Sequence, residues 1–321
     1  MTTWKGAERH ADKRPFLLAR ARILAAVRAW FAAEGFVEAD LGAIVPVPGA
    51  ETHISAFAIE GGYLHASPEF AMKGLLAAGE RKIYRLGHVY RRGESGPLHA
   101  PEFTMLEWYR SEAPYTAIMD DCLAIIGAAA GAVDRDGLRW KGAAARVDVA
   151  PGKITVAEAF ERFAGADVLS ESVNAFGNAV AGKDDTWSDL FSRALTGRVE
   201  PGLDRNALTF LYEYPIAEAA LARPCPHDRR VAERFELYAC GVELANGYGE
   251  LNDAEEQRRR FVAAMDEKER RYGERWPVPE AFLEALAHMP AASGCALGVD
   301  RLVMLLSDAT KIDDVMWSMP S

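Results

Sequence analysis

The segment APEFTMLEWYR, residues 100–110, constrains the fold more than any other stretch of the chain. With side chains alternating at period two, one face of such a strand carries Phe103, Met105, Glu107 and Tyr109. The opposite face is also mostly large and apolar, so the strand is expected to be buried on both sides. An ionised glutamate in that environment costs several kcal/mol unless a cation compensates it. Glu107 therefore predicts a positively charged partner.

Composition narrows the class of protein. Half of the 321 residues are hydrophobic, which is enough for one large core. The first residues lack the apolar stretch of a signal peptide, and the longest apolar run, residues 122–133, is too short to span a bilayer. The four cysteines are scattered, which predicts neither a zinc framework nor disulfides and fits a cytoplasmic protein. A net charge of −10 argues against non-specific nucleic-acid binding.

Hydrophobic periodicity predicts a single α+β domain over residues 1–321, with an antiparallel sheet flanked by helices. Residues 100–110 follow another predicted strand across a Gly/Pro-rich loop, as in an antiparallel pair. Residues 113–206 give a weaker, mainly helical signal, with a capping box from Thr155 to Glu158. The remaining predicted elements are helices at 15–34, 69–79 and 253–271, strands at 82–92 and 207–215, two strands within 233–251, and a strand that runs into a helix at 294–306.

A pair of glutamates in FELYACGVEL suggests a metal site. If Ala239 and Cys240 form the tip of a hairpin, Glu236 lies opposite Glu243, and a divalent cation such as Mg²⁺ relieves their repulsion. The alternative is two exposed glutamates on a longer loop, because Ala-Cys is not a favoured turn. Strict alternation puts Glu250 on the face opposite Glu243. The two converge only if the strand bends or bulges at Gly247 or Gly249.

Cationic residues suggest an anion site. Arg301 falls in the first turn of a predicted helix, where a guanidinium and free backbone N–H groups suit a phosphate. The alternative is a surface ion pair between Asp300 and Arg301. Arg91 ends a strand eight residues before His99, and cations around one loop suit a polyphosphate, although a lone histidine is more often structural.

Several motifs in one order resemble the class II aminoacyl-tRNA synthetases. The spacing of Arg91, His99, Phe103 and Glu107 is similar to motif 2, GCALGVDRLVML to motif 3, and residues 15–48 to motif 1. Within the class, SPEFAMK, PEFTMLEWYR, GVELANGYGELNDAEEQ and SGCALGVDRLVML resemble the lysyl-tRNA synthetase catalytic core. The motif 1 helix starts so early that no anticodon-binding domain is expected. That truncation resembles the elongation factor P lysine ligases, with residues 113–206 as a variable insertion between motifs 2 and 3.

The resemblance implies roles for named residues. Arg91, His99 and Arg301 are expected to be catalytic through contacts to the phosphates of ATP. Phe103 is expected to stack on adenine. Glu94 takes the place of an adenine-contacting carboxylate that the family usually has one position earlier. Mg²⁺ on the phosphates is assigned to Glu236 and Glu243. The lysine-binding residues implied by the resemblance are Glu69, Glu107, Tyr109, Asn246, Glu250 and Ala296.

The resemblance also implies a reaction. Lysine or (R)-β-lysine is activated with ATP as an adenylate and transferred to a lysine side chain of elongation factor P, by a homodimeric enzyme. Ala296 supports this ligase, because lysyl-tRNA synthetases carry glycine there. Two alternatives are an enzyme that charges tRNA or a free amine, and a silent regulator that binds lysine or a nucleotide. Acidity weighs against tRNA, and the intact arginines and carboxylates weigh against the regulator.

Overall fold

The computed structural model describes residues 6–170, 172–176 and 185–317. The helices are α1 Gly6–Ala33, α2 Glu69–Ala77, α3 Tyr115–Gly131, α4 Val156–Ala164, α5 Trp187–Ala194, α6 Glu200–Gly202, α7 Ala254–Tyr272, α8 Glu280–Leu286 and α9 Val299–Ser307. The strands are β1 Val37–Glu38, β2 Ile44–Val45, β3 Ala58–Ile59, β4 Gly62–Leu64, β5 Lys82–Tyr90, β6 Glu102–Ser111, β7 Gly137–Trp140, β8 Ala143–Arg146, β9 Gly152–Thr155, β10 Thr209–Pro215, β11 Val231–Ala239, β12 Val242–Gly249 and β13 Ala292–Gly298.

An eight-stranded sheet organises the domain. Its strand order is β1-β5-β6-β13-β12-β11-β10-β9. The six central strands pair antiparallel, as the sequence predicted, but β1 and β9 pair parallel to their neighbours at the two edges. The sequence analysis missed these parallel edges because strands of two to four residues carry little periodicity. Two small sheets, β2-β4-β3 and β7-β8, lie outside the main sheet.

Most predicted elements are present, with shifted ends. Helix α1 begins at Gly6, nine residues before the predicted start, and Pro15 lies inside it. Gly35 follows it with a φ of 75°, as a C-terminal stop requires. The Thr155–Glu158 capping box is formed at α4. Residues 113–206 are less purely helical than predicted, since they also contain β7, β8 and β9; residues 171 and 177–184 of this insertion lie outside the described part of the chain.

The pleat separates a helix-covered core from a pocket. Leu106 and Trp108 of β6, with Leu297 of β13, belong to the large cluster of buried side chains that includes residues of α1, α3 and α9. The alternate residues of the same strands face a cavity on the other side. Glu107, predicted to share a buried face with Phe103 and Tyr109, does so and is 2 % exposed. Each central strand therefore contributes to the core and to the pocket at once.

The β11–β12 hairpin differs from its predicted register. The turn is at Cys240 and Gly241, which have φ of 55° and 77°, so the predicted tip at Ala239–Cys240 was wrong by one residue. Positive φ at both central residues suits a two-residue turn, and a glycine adopts it without strain. Glu236 pairs with Asn246 rather than with Glu243, whose partner is Tyr238.

A bulge in β12 explains how both ends of this strand reach the pocket. Tyr238 pairs with Glu243 and Leu237 with Ala245, so Leu244 is the extra residue. This insertion changes the alternation, and Glu243 and Glu250 line the same cavity despite their odd separation. The convergence that the periodicity left open therefore occurs, and the irregularity lies at Leu244 rather than at Gly247 or Gly249.

A buried ion pair fixes α1 and α9 to the sheet. Arg20 of α1 pairs with Asp300 of α9, with side chains 7 % and 2 % exposed. Asp300 also accepts a hydrogen bond from the Thr104 backbone N–H at 2.7 Å, and Arg20 donates to the Thr104 hydroxyl at 2.6 Å. The alternative of a surface Asp300–Arg301 pair is therefore wrong. Asp300 is structural, which leaves Arg301 available to the pocket.

Arg20→Met is expected to destabilise the protein by about 3–5 kcal/mol, because it leaves the Asp300 carboxylate buried without its cation. Arg28→Met on the same helix is the matched control. Arg28 pairs with Glu38 on the surface, with side chains 46 % and 37 % exposed, so it should cost less than about 1 kcal/mol. Denaturant unfolding measures both changes, and equal costs would contradict the structural role of Arg20.

The segment that resembles motif 1 leaves apolar side chains at the surface. Leu18, Val37 and Ile44 are 42 %, 58 % and 63 % exposed. These side chains would suit the expected homodimer, which stays a prediction that sedimentation analysis would test. None of the helices in the described parts of the chain is sufficiently long and apolar to cross a membrane.

Candidate active site

A cavity of about 600 Å³ lies on the sheet face opposite the main core. Its floor contains one cross-strand row, in which Glu107 of β6 pairs with Ala296 of β13, Ala296 with Asn246 of β12, and Asn246 with Glu236 of β11. Four residues from three separate sequence motifs thus lie side by side because of strand register alone.

A second row lies beside the first and shows why a glycine is needed. Tyr109 pairs with Gly294, Gly294 with Tyr248, and Tyr248 with Arg234. A Cβ on Gly294 would lie 2.3 Å from the Tyr109 ring and 3.0 Å from a Glu250 carboxylate oxygen. The missing side chain therefore lets Tyr109 and Glu250 approach each other at the wall of the cavity.

Glu107 is held by hydroxyl groups and not by an internal cation. Its two oxygens accept hydrogen bonds from the Ser67 hydroxyl and the Tyr109 hydroxyl, each at 2.7 Å. Within the described residues, no Lys, Arg or His forms an ion pair with Glu107. Burial, followed by the nearby Glu69 charge, raises the pKa of Glu107 to about 7. The positive partner that the sequence predicted for Glu107 is therefore not an internal ion pair in the described structure, and its supply by a ligand stays a prediction.

Lys73 lies against the other two carboxylates of this part of the pocket. Its ammonium is 2.5 Å from Glu69 and 2.6 Å from Glu250, and the residue is 1 % exposed. Burial alone would lower the pKa of Lys73, but the Glu250 and Glu69 charges raise it above its ordinary value. We refer to Glu69, Lys73, Glu107 and Glu250 as the carboxylate cluster. With every group ionised it carries three negative charges and one positive charge.

Lys73→Met is expected to destabilise the ligand-free protein by about 3–5 kcal/mol, since the buried Glu250 and the largely buried Glu69 lose the ammonium that pairs with both. Adding Glu250→Gln in the double variant should recover part of this loss, because one of the two uncompensated charges is removed. Denaturant unfolding of the two single variants and the double variant measures the coupling. Strictly additive losses would show that Lys73 and Glu250 do not act as a pair.

Glu107 should also make the stability of the ligand-free protein depend on pH. Its folded pKa of about 7 lies above the ordinary value of 4.5, so its contribution is complete below about pH 4.5 and is lost as the pH rises through 7. Relative to Glu107→Gln, the wild type should lose about 3 kcal/mol of unfolding free energy between pH 4.5 and 8. Glu112→Gln, at the exposed residue that follows the same strand, should not change this pH profile. A difference that stays constant with pH would contradict the burial of an ionisable Glu107.

A cationic region of the cavity is formed by motif residues from three elements. Arg301 donates to the Glu243 carbonyl at 2.8 Å and lies 2.7 Å from His99 Nε2. Burial and the Arg301 charge lower the pKa of His99, so its imidazole is neutral and accepts from the guanidinium. Arg91 lies over the Phe103 ring at 5.3 Å. Together with the N-terminus of α9, these groups can bind a polyanion.

Two carboxylates on the β11–β12 hairpin face the same region. Burial, then the neighbouring Glu236 charge, raises the pKa of Glu243 to about 7, although Arg301 lies 3.6 Å from one of its carboxylate oxygens and opposes this shift. Glu236 is more fully bonded, because it pairs with Arg234 at 2.6 Å and accepts from the Tyr214 and Tyr238 hydroxyls. Hard carboxylate oxygens in this arrangement fit Mg²⁺, with Glu243 the less committed ligand.

Every residue that the sequence analysis assigned to the site lines this one cavity. They are Glu69, Arg91, Glu94, His99, Phe103, Glu107, Tyr109, Glu236, Glu243, Asn246, Glu250, Ala296 and Arg301. Glu94, whose assignment involved a one-residue shift, lies 3.8 Å from His99. The structure brings these residues together, while their individual roles stay predictions.

Four further residues were missed. Ser67 and Lys73 lie inside the motif SPEFAMK, and the i, i+4 spacing of Glu69 and Lys73 could have indicated an ion pair. Arg234 and Tyr248 could be placed only by strand register. The structure also explains why residue 249 is a glycine. A Cβ there would lie 2.1 Å from a carboxylate oxygen of Glu233, which pairs with Arg223.

Comparison with known proteins identifies the class. The family model described as tRNA synthetases class II (D, K and N) matches residues 6–317, so the chain belongs to the class II synthetase family. The eight-stranded sheet flanked by helices is accordingly a class II synthetase-like domain. Members of this class use ATP, typically with a divalent metal.

Relatives named elongation factor P–(R)-β-lysine ligase narrow the identification. The protein of Yersinia enterocolitica is 36% identical over 94% of this chain and 93% of its own length. That of Pectobacterium carotovorum is 36% identical over 98% and 97%, and that of Haemophilus influenzae 36% over 94% and 93%. The similarity spans nearly the whole chain, which is accordingly an ATP-dependent ligase.

Proposed function

We propose that this ligase activates lysine or (R)-β-lysine with ATP and transfers it to a lysine side chain of elongation factor P. The charge of the carboxylate cluster carries the proposal. Three carboxylates and Lys73 leave two negative charges, which equals the two ammonium groups of lysine or β-lysine. A neutral side chain on the substrate would leave one buried carboxylate uncompensated, which accounts for selection of a diammonium ligand.

The pocket residues form two groups, one for the amino acid and one for ATP. Glu107, Tyr109 and Glu250 receive the side-chain ammonium, and Glu69 the other ammonium. Asn246 orients the carboxylate or a neighbouring polar group, and Ala296 limits the space beside Glu107. Arg91, His99 and Arg301 receive the phosphates, Phe103 stacks on adenine, and Glu94 contacts it. Mg²⁺ held by Glu236 and Glu243 would neutralise phosphate charge.

The proposed chemistry requires the protein to position the two substrates, and it uses no protein nucleophile. A carboxylate oxygen of the amino acid bonds to the α-phosphorus of ATP, and the bond from that phosphorus to the departing pyrophosphate breaks. The guanidinium groups of Arg91 and Arg301 stabilise the negative charge that develops. The acceptor amine then attacks the carbonyl of the adenylate, and AMP leaves.

Activation is tested by ATP–pyrophosphate exchange in the presence of lysine or (R)-β-lysine. Glu107→Gln should reduce kcat/KM for the amino acid roughly 10- to 100-fold, the loss expected for a charge-assisted contact, with little change in the KM for ATP. Glu112→Gln, at the residue directly after β6 with a side chain 62% exposed, is the matched control and should behave as the wild type. Absence of exchange with both amino acids would refute the proposal.

Transfer is tested by offering elongation factor P and tRNA together with labelled amino acid. Label should accumulate on elongation factor P and be lost when its lysines are acetylated beforehand. The names of the relatives and the acidity of the chain support this acceptor. Label found only on tRNA would assign the chain to a tRNA-charging enzyme while leaving the activation step intact.

A further inference from the structure

A second cluster of metal-ligating side chains lies away from the catalytic pocket. Glu213, Cys225 and His227 bring a carboxylate oxygen, a thiol sulfur and an imidazole nitrogen within 4.8 Å of one another. Glu213 and His227 already approach to 3.4 Å. None of the three lines the pocket, so this cluster is separate from the Mg²⁺-binding carboxylates.

The backbone presents these three side chains from two segments. Glu213 lies at an irregularity of β10, between Tyr212 and Tyr214, and has a φ of 59°. Cys225 begins the loop before β11, where its N–H donates to the Val231 carbonyl at 2.9 Å. Asp228 holds the same loop by accepting from the Arg230 backbone N–H at 3.0 Å and pairing with its guanidinium. The side chains that would be ligands thus project from an ordered β10–loop junction.

The neighbouring charges leave these three side chains available. The adjacent acidic residues are already paired, Glu233 with Arg223 and Asp228 with Arg230. Cys225 is buried at 1 % exposure, and no hydrogen bond to its sulfur is found among the described residues. His227 is largely exposed, so the cluster has a buried sulfur on one side and solvent access on the other.

We propose that Glu213, Cys225 and His227 bind a zinc ion, with the fourth position open to water. Zinc prefers four ligands, and a sulfur, a nitrogen and a carboxylate oxygen are its usual donors at about 2.0–2.3 Å. Side-chain adjustment of the exposed His227 would close the remaining distance. Thiolate favours zinc over Mg²⁺, which keeps the two metals in separate sites. The thiol proton passes to solvent when the sulfur binds the metal.

Zinc here would join β10 to the loop that enters β11. Tyr214 follows Glu213 directly, and its hydroxyl donates to Glu236 in the pocket. One ligand of the ion, Glu213, is therefore the neighbour in sequence of Tyr214, which holds the predicted Mg²⁺ ligand Glu236 in place. The sequence analysis predicted no zinc framework because it considered paired cysteines and histidine clusters, whereas this set combines a single Cys-x-His with a carboxylate twelve residues earlier.

The test is a zinc titration of the untagged, chelator-treated full chain, with excess Mg²⁺ to occupy oxygen sites and a chromophoric chelator as competitor. One zinc per chain is expected. Cys225→Ser and His227→Ala should each weaken binding at least about 10-fold, since loss of even an outer contact costs 10- to 100-fold. His288→Ala, an exposed histidine elsewhere, is the matched control, and His227→Cys should retain zinc because it supplies another ligand.

Cobalt provides an independent readout of the ligands. Co²⁺ in the wild type should give a thiolate charge-transfer band and the visible bands of a tetrahedral ion, and Cys225→Ser should abolish the former. Circular dichroism of each zinc-free variant checks that it is folded, and the exposed His227→Ala tests the site even if Cys225→Ser is unstable. Absence of zinc binding by the wild type, or equal affinity in wild type and folded His227→Ala, would overturn the proposal.

Discussion

The structure depends on placing carboxylates on one face of a sheet whose other face is the hydrophobic core. Glu107 is almost fully buried and receives only hydroxyl hydrogen bonds, while Leu106 and Trp108 beside it pack into the core. Removing Glu107 from water raises the free energy of its charged form, which its pKa of about 7 reflects. Under the proposed function, a positively charged ligand would offset this free energy, and binding would therefore favour a cationic ligand over a neutral one.

Lys73 changes how that selectivity is understood. The sequence analysis treated Glu69, Glu107 and Glu250 as contacts to the substrate alone, but two of them already have an internal ammonium between them. The pocket therefore does not recognise an ammonium group merely because carboxylates are present. Under the proposed function, recognition depends on the net charge left after Lys73, and Glu107 is the member of the carboxylate cluster that has no ion pair in the described structure.

Local patterns predicted the site better than the register that assembles it. Alternation at residues 103–109 placed Glu107 and Tyr109 on one face correctly, and the motif resemblance named thirteen residues that line one cavity. The hairpin turn was misplaced by one residue, because nothing in ELYACGVEL reveals that Cys240 adopts a positive φ. Arg234 and Tyr248 were missed for the same reason: which residues are neighbours across strands depends on turns and bulges, and these are tertiary properties.

The extra residue at Leu244 has a consequence for how this sheet can change. It interrupts the alternation of β12: Glu243, before it, faces the pocket with an odd number, whereas Asn246 and Tyr248, after it, face the pocket with even numbers. Deleting Leu244 would make Glu243 and Ala245 neighbours in a regular ladder, so Asn246 and Tyr248 would stay on the pocket face. Keeping Leu244 in strict alternation, without the bulge, would instead turn Asn246 and Tyr248 toward the helices. Related enzymes can therefore alter the pocket by exchanging side chains along this strand, but loss of the bulge with Leu244 retained would exchange the pocket and core faces from Leu244 onward.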